Sequence, residues 1–138
     1  IAVAAISDRL KKRKVTLIGF SVLFAVLVIT LINLPASMGI LTFSVLNFAL
    51  NFAGSFWVLY FSMIPETLPP SKASVGLGIV NGIGTIGFSV LTPIYGGLVD
   101  ITGTYTSSNL MIQSGAILMP IIFFLFIKEC YGGIAEEE

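Results

Sequence analysis

Residues 7–14 read Ser7-Asp8-Arg9-Leu10-Lys11-Lys12-Arg13-Lys14 and carry five of the chain's seven lysines and arginines. Apolar sequence borders them on both sides, Ile1-Ala2-Val3-Ala4-Ala5-Ile6 before and a long run from Val15 after. A Lys or Arg costs about 3 kcal/mol at the centre of a membrane helix, so this stretch reads as a short loop at a membrane surface. Short loops rich in Lys and Arg stay in the cytoplasm, so the stretch also orients the chain.

Composition agrees with lipid as the solvent. The chain has 138 residues, 56% of them hydrophobic and 10% charged. A soluble domain carries about 25% charged residues. The formal net charge is zero, which leaves no basic face for nucleic acid. The single Cys130 excludes an internal disulfide framework. Histidine, the commonest general base and metal ligand, is absent. No nucleophile–base pair or metal-ligand set stands out, so neither an enzyme nor a cofactor is expected. The chain starts at Ile1 in mid-hydrophobic sequence and reads as a fragment of a longer protein.

Hydropathy and proline positions predict four spans, at about 15–34, 38–64, 73–99 and 109–127, with a polar tail over 128–138. Pro65-Glu66-Thr67-Leu68-Pro69-Pro70-Ser71-Lys72 is expected to be a polar loop. With residues 7–14 inside, four crossings put Arg9, Lys11, Lys12, Arg13, Lys14, Lys72 and Lys128 all on the cytoplasmic side, together with the C-terminus. The fold class is therefore an all-α, multi-pass integral membrane protein.

The pattern Ala4-x-Ile6-Ser7-Asp8-Arg9-x-Lys11-Lys12-Arg13-Lys14 resembles the cytoplasmic loop signature of the major facilitator superfamily, Gly-x-Leu-Ala/Ser-Asp-Arg-x-Gly-Arg-Arg/Lys. Ala4 and Lys11 stand where the signature has glycines. Gly82-x-Gly84-x-x-Gly87 followed by Pro93-x-x-Gly96-Gly97-x-x-Asp100 resembles the family's eleventh helix and the loop after it. The resemblance implies the end of helix 8 and helices 9 to 12 of a twelve-helix transporter in the cell membrane, with its N-terminal helices outside this chain. It also implies a cytoplasmic charge network of Asp8, Arg9, Arg13, Glu66 and Lys72. There Arg9 or Arg13 would pair with Glu66, and Asp8 would sit near a helix N-terminus.

Gly82-x-Gly84-x-x-Gly87 also matches a dinucleotide fingerprint by letters, but it lies inside a hydrophobic span rather than after a strand. Gly78, Gly82, Gly87, Pro93, Gly96 and Gly97 read instead as helix-packing positions. Ser44, Asn47, Asn51, Gly54 and Ser55 form a polar, small stripe on the second span, and Gly78, Asn81, Gly82, Thr85, Ser89, Thr92 and Gly96 form one on the third. The stripes predict that these two spans face protein or water and that the first and fourth face lipid. Secondary transporters bind solute near the midplane, which nominates Asn47, Asn51, Asn81, Thr85 and Ser89 as lining residues. Interhelical hydrogen bonding is the competing role for the same amides and hydroxyls. Trp57 and Tyr60 read as interfacial anchors, and Glu136 to Glu138 as a solvated acidic end.

The leading expectation is the C-terminal part of a secondary transporter that moves a small solute by alternating access. The alternative is a stand-alone four-helix membrane subunit or scaffold.

Overall fold

The computed structural model describes residues 2–35 and 37–132; the acidic end at Glu136 to Glu138 lies outside them. Among the described residues every regular element is a helix: α1 (Ala2–Leu10), α2 (Arg13–Ile32), α3 (Ile40–Gly54), a 3-10 turn (Ser55–Trp57), α4 (Val58–Thr67), α5 (Pro70–Thr102) and α6 (Thr106–Phe126). Four stretches are long and apolar enough to cross a membrane: α2, the α3–α4 pair read through its turn, α5 and α6.

The helix boundaries follow from local chemistry. The basic stretch is not an open loop. Its first half is the last turn of α1, and α2 restarts at Arg13, so only Lys11 and Lys12 break the helix. Lys11 makes the turn with φ at 51°, in the left-handed region that glycine favours. The stretch from Pro65 is likewise mostly helix. The chain passes through Pro65 to Thr67, helped by Thr67 Oγ1 donating to the Met63 carbonyl. Leu68 is extended, the conformation a following proline favours, and Pro70 opens α5 at its first position. The extra helical turn carries Glu66 on the end of α4 instead of in a loop. At the far end of α5, Gly103 at φ 66° caps the helix and donates its N–H to the Val99 carbonyl at 2.8 Å.

α2 is the centre of the bundle and packs on α1, α3 and α6. Its buried Leu17, Ser21, Ala25 and Val28 repeat at helical spacing and define one enclosed face. The expectation that this span faces lipid is overturned on that side. Small Ala25 and Ala116 let α2 and α6 approach in one half of the bundle. In the other half Val3, Leu17, Phe56, Leu59, Met63 and Phe123 form the core. Phe24 and Phe123 meet Phe56 edge-on at centroid distances of 5.8 and 6.1 Å.

α5 lies outside this core. None of its 33 residues is buried. It touches α4 near Gly76, where an added Cβ would stand 2.5 Å from Leu68 Cδ1 and 3.1 Å from Ile64 Cγ2. At its other end Ser108 Oγ donates to the Tyr95 carbonyl at 2.8 Å, and Tyr95 Oη donates to Asn109 Oδ1 at 3.0 Å. Among the described residues, then, the third span has no partner along its polar stripe. The helices alternate in direction, so all seven lysines and arginines gather at the end that holds the α1–α2 and α4–α5 turns.

Candidate functional site

That charged end is built around Arg13, the first residue of α2. Its guanidinium reaches Glu66 at the end of α4 through Nη2 to Oε1 at 2.6 Å and Nε to Oε2 at 3.1 Å, a two-pronged contact. Nη1 reaches Asp8 Oδ1 in α1 at 2.6 Å and donates to the fully buried Ser7 Oγ at 3.2 Å. The Tyr131 ring covers the guanidinium, with Cζ 5.0 Å from the ring centroid. Arg13 is 7% exposed, so these partners act with little screening by water.

The backbone of the same residue is held from a second direction. Glu129 accepts the Arg13 N–H on Oε1 at 2.7 Å and the Lys14 N–H on Oε2 at 3.2 Å. These N–H groups open α2 and have no acceptor within it, and a carboxylate also suits the positive end of the helix dipole. The Cys130 thiol lies 4.0 Å from Glu66 Oε2. Its pKa is raised, chiefly by burial and then by the nearby charges of Glu66 and Glu129.

Of the residues nominated for a charge network, Asp8, Arg13 and Glu66 come together, while Arg9 and Lys72 form no ion pair among the described residues. Asp8 meets the Arg13 side chain, and Glu129 holds the helix N-terminus where Asp8 was expected. Sequence reading missed Glu129 and Tyr131, which sit 116 or more residues along the chain from Arg13. The only signal for them was topological: the loop and the tail share one surface.

A cavity of about 460 Å³ lies between the α3–α4 span and α5. Trp57, Tyr60 and Phe61 form one wall, and Val80, Asn81, Gly84, Thr85 and Phe88 form the other. Asn81, Gly84, Thr85 and Phe88 follow the spacing of one helix face. Thr85 Oγ1 donates to the Asn81 carbonyl at 2.9 Å, which leaves its lone pairs and the Asn81 side-chain amide to the cavity. Mostly apolar walls, here half aromatic, with a few polar groups are the usual make-up of a small-molecule site. Asn51 lines a separate groove with Phe24, Gly54, Ser55 and Trp57, and donates to Asn47 Oδ1 at 3.0 Å and the Asn47 carbonyl at 2.8 Å. Trp57 borders both spaces, and neither Asn47 nor Ser89 lines either. Gly78, Gly82, Gly87, Gly96 and Gly97 have open space where a Cβ would stand, while Gly54 and Gly76 face close neighbours. Pro93 lies within α5, which continues through it.

No family model and no solved structure matches this chain. Over 92 residues, 66% of its length, it is 34% identical to monocarboxylate transporter 13 of Rattus norvegicus, covering 21% of that protein. Over 67 residues, 49% of its length, it is 36% identical to monocarboxylate transporter 13 of Bos taurus, covering 15% of that protein. The chain thus spans about a fifth of the length of one relative and less of the other, and its own four apolar helices make it part of a multi-pass membrane protein.

Proposed function

We propose that the chain is the C-terminal part of a major-facilitator-type secondary transporter and that the whole protein moves a small monocarboxylate by alternating access. The observation that carries this reading is the 34% identity to a monocarboxylate transporter over two thirds of the chain. The polar stripe of α5 supports it: its threonine hydroxyls bond within the helix, but in lipid the Asn81 amide and the Ser89 hydroxyl would lack partners from the described residues. It argues for further helices and against a stand-alone four-helix subunit. The basic end is the cytoplasmic one, which puts every Lys and Arg inside.

The aromatic cavity is where we place the solute. The Asn81 amide and Thr85 hydroxyl offer neutral hydrogen bonds to a carboxylate, and Trp57 and Tyr60 add an indole N–H and a phenol. Asn51, hydrogen-bonded to Asn47, lines the neighbouring groove on the other side of Trp57, while Asn47 and Ser89 line neither space. None of the four predicted spans carries Asp, Glu, Lys, Arg or His, so a cationic partner for the carboxylate comes from helices outside this chain. The Asp8–Arg13–Glu66 cluster biases the transporter toward the form closed at the cytoplasmic end, by as much as its contacts differ between the two forms.

The test is uptake of a labelled short-chain monocarboxylate by the full-length protein, with the uncharged amide of the same acid as competitor. Saturable uptake that the amide fails to block supports the reading. Absent uptake in a protein that reaches the membrane refutes the solute class.

A further inference from the structure

Residues 127–132, which follow α6, turn back across the charged end. Ile127 leaves the helix in extended conformation, and Ile127 and Cys130 rest on the apolar core that contains Val3, Leu59 and Met63. Glu129 takes the two opening N–H groups of α2 and also the N–H groups of Cys130 and Tyr131, at 3.2 and 3.4 Å, so the segment closes on itself. Tyr131 covers the Arg13 guanidinium and donates its hydroxyl to the Asp8 carbonyl at 3.3 Å. The segment therefore fixes both the backbone and the side chain of Arg13.

Arg13 in turn grips Glu66, at the tip of α4. α4 is joined to the rest of its span by the 3-10 turn at Ser55–Trp57, where the helical ladder is interrupted just after Gly54. Such a turn inside a helix is a ready hinge. Between hinge and tip, α4 carries Tyr60 and Phe61, part of the cavity wall. The chain of contact runs from segment to Arg13, from Arg13 to Glu66, and from Glu66 through a hinged helix to the cavity.

We propose that residues 127–132 are a strap that locks α4 against α2 and must lift from Arg13 before the cytoplasmic end of the cavity can open. The proposal rests on the alternating-access reading for its purpose, but its mechanical content is independent of any solute.

Two reporters in the full-length protein, with other cysteines removed, test it. The first is the rate at which native Cys130 reacts with a membrane-permeant maleimide. Glu129→Ala removes two charge-assisted hydrogen bonds to α2, and the rate, compared at equal thiolate fraction because Glu129 also raises the thiol pKa, rises at least about tenfold, the size of one such bond. Tyr131→Leu gives a similar rise and serves if Glu129→Ala fails to accumulate. The second is a Thr67→Cys reporter at the tip of α4 on a Cys130→Ser background, whose labelling rises several-fold when Glu129→Ala is added. Equal Cys130 rates in wild type and both variants would show that the strap is never seated, and would overturn the proposal. Faster Cys130 labelling with an unchanged Thr67→Cys reporter would show a seated tail that does not hold α4, and would overturn it equally. If the wild type carries no monocarboxylate, the functional reading falls while both reporters still decide the strap.

Discussion

Lys11 holds a left-handed backbone that costs an L-residue about 1–2 kcal/mol, against roughly 0.5–1 kcal/mol for the freedom a glycine loses on folding. Lys11→Gly is therefore expected to stabilise the full-length protein by about 0.5–1 kcal/mol, read as a higher melting temperature in detergent. A lower one would mean that the lysine side chain outweighs its backbone. A position whose backbone favours glycine is held here by a lysine, and no sequence rule shows that a lysine accepts the strain. Arg13 is the opposite case. Pairing with Glu66 was expected of it or of Arg9, and what the letters left open was which arginine: a helix running through Pro65 carries Glu66 to Arg13. Arg13→Ala strands Glu66, whose side chain is 21% exposed, and Asp8, whose side chain is 55% exposed. The expected cost is about 2 kcal/mol, between the exposed and buried limits for broken ion pairs. Arg13→Lys should recover little of it, because an ammonium cannot reproduce the two-pronged contact. Cys130 gives a pH test. Its raised pKa keeps the thiol protonated, so alkylation should gain speed at higher pH than for an exposed cysteine. Glu66→Gln removes one of the charges that raise it and should move the profile down; an unmoved profile would detach Cys130 from Glu66.

Among elements, α2 and α5 show what hydropathy can and cannot tell. Both were legible as spans, because length and apolar content suffice for that. Which span lies at the centre was not. α2 is mostly apolar by letters and shows no polar stripe, yet small residues at Ser21 and Ala25 set how closely α6 and α3 approach. The α5 glycines drew attention by number, but the close contacts within this chain fall at Gly54 and Gly76, which differ from the others only in what stands opposite. The two groups separate experimentally. Gly76→Val has to displace Ile64 and Leu68, and should lower stability by about 1–3 kcal/mol as overpacking does. Gly82→Leu meets nothing within this chain. Any loss of accumulation it causes in the full-length protein measures contact with helices outside it, and full accumulation would place Gly82 toward lipid.

For the whole molecule, the alternation of ends gathers the basic residues at one end, which is expected to be the cytoplasmic one. Seven cations fall on one side of four crossings, and a missed or extra span would have scattered them. A Cys placed at Ser107 should react with an impermeant reagent applied outside intact cells, while native Cys130 stays unmodified. Modification of Cys130 under those conditions would invert the orientation. The bare flank of α5 has a consequence for the life of the protein in the cell. Synthesised without its partners, a helix presenting Asn81, Thr85 and Ser89 to acyl chains is the kind of orphan that membrane proteases remove. Co-expression with the helices that the proposed function places outside this chain should lengthen its half-life, and replacing those three residues with Leu should lengthen it without them. If the proposed transporter reading holds, the same stripe doubles, during biogenesis, as a mark of incomplete assembly.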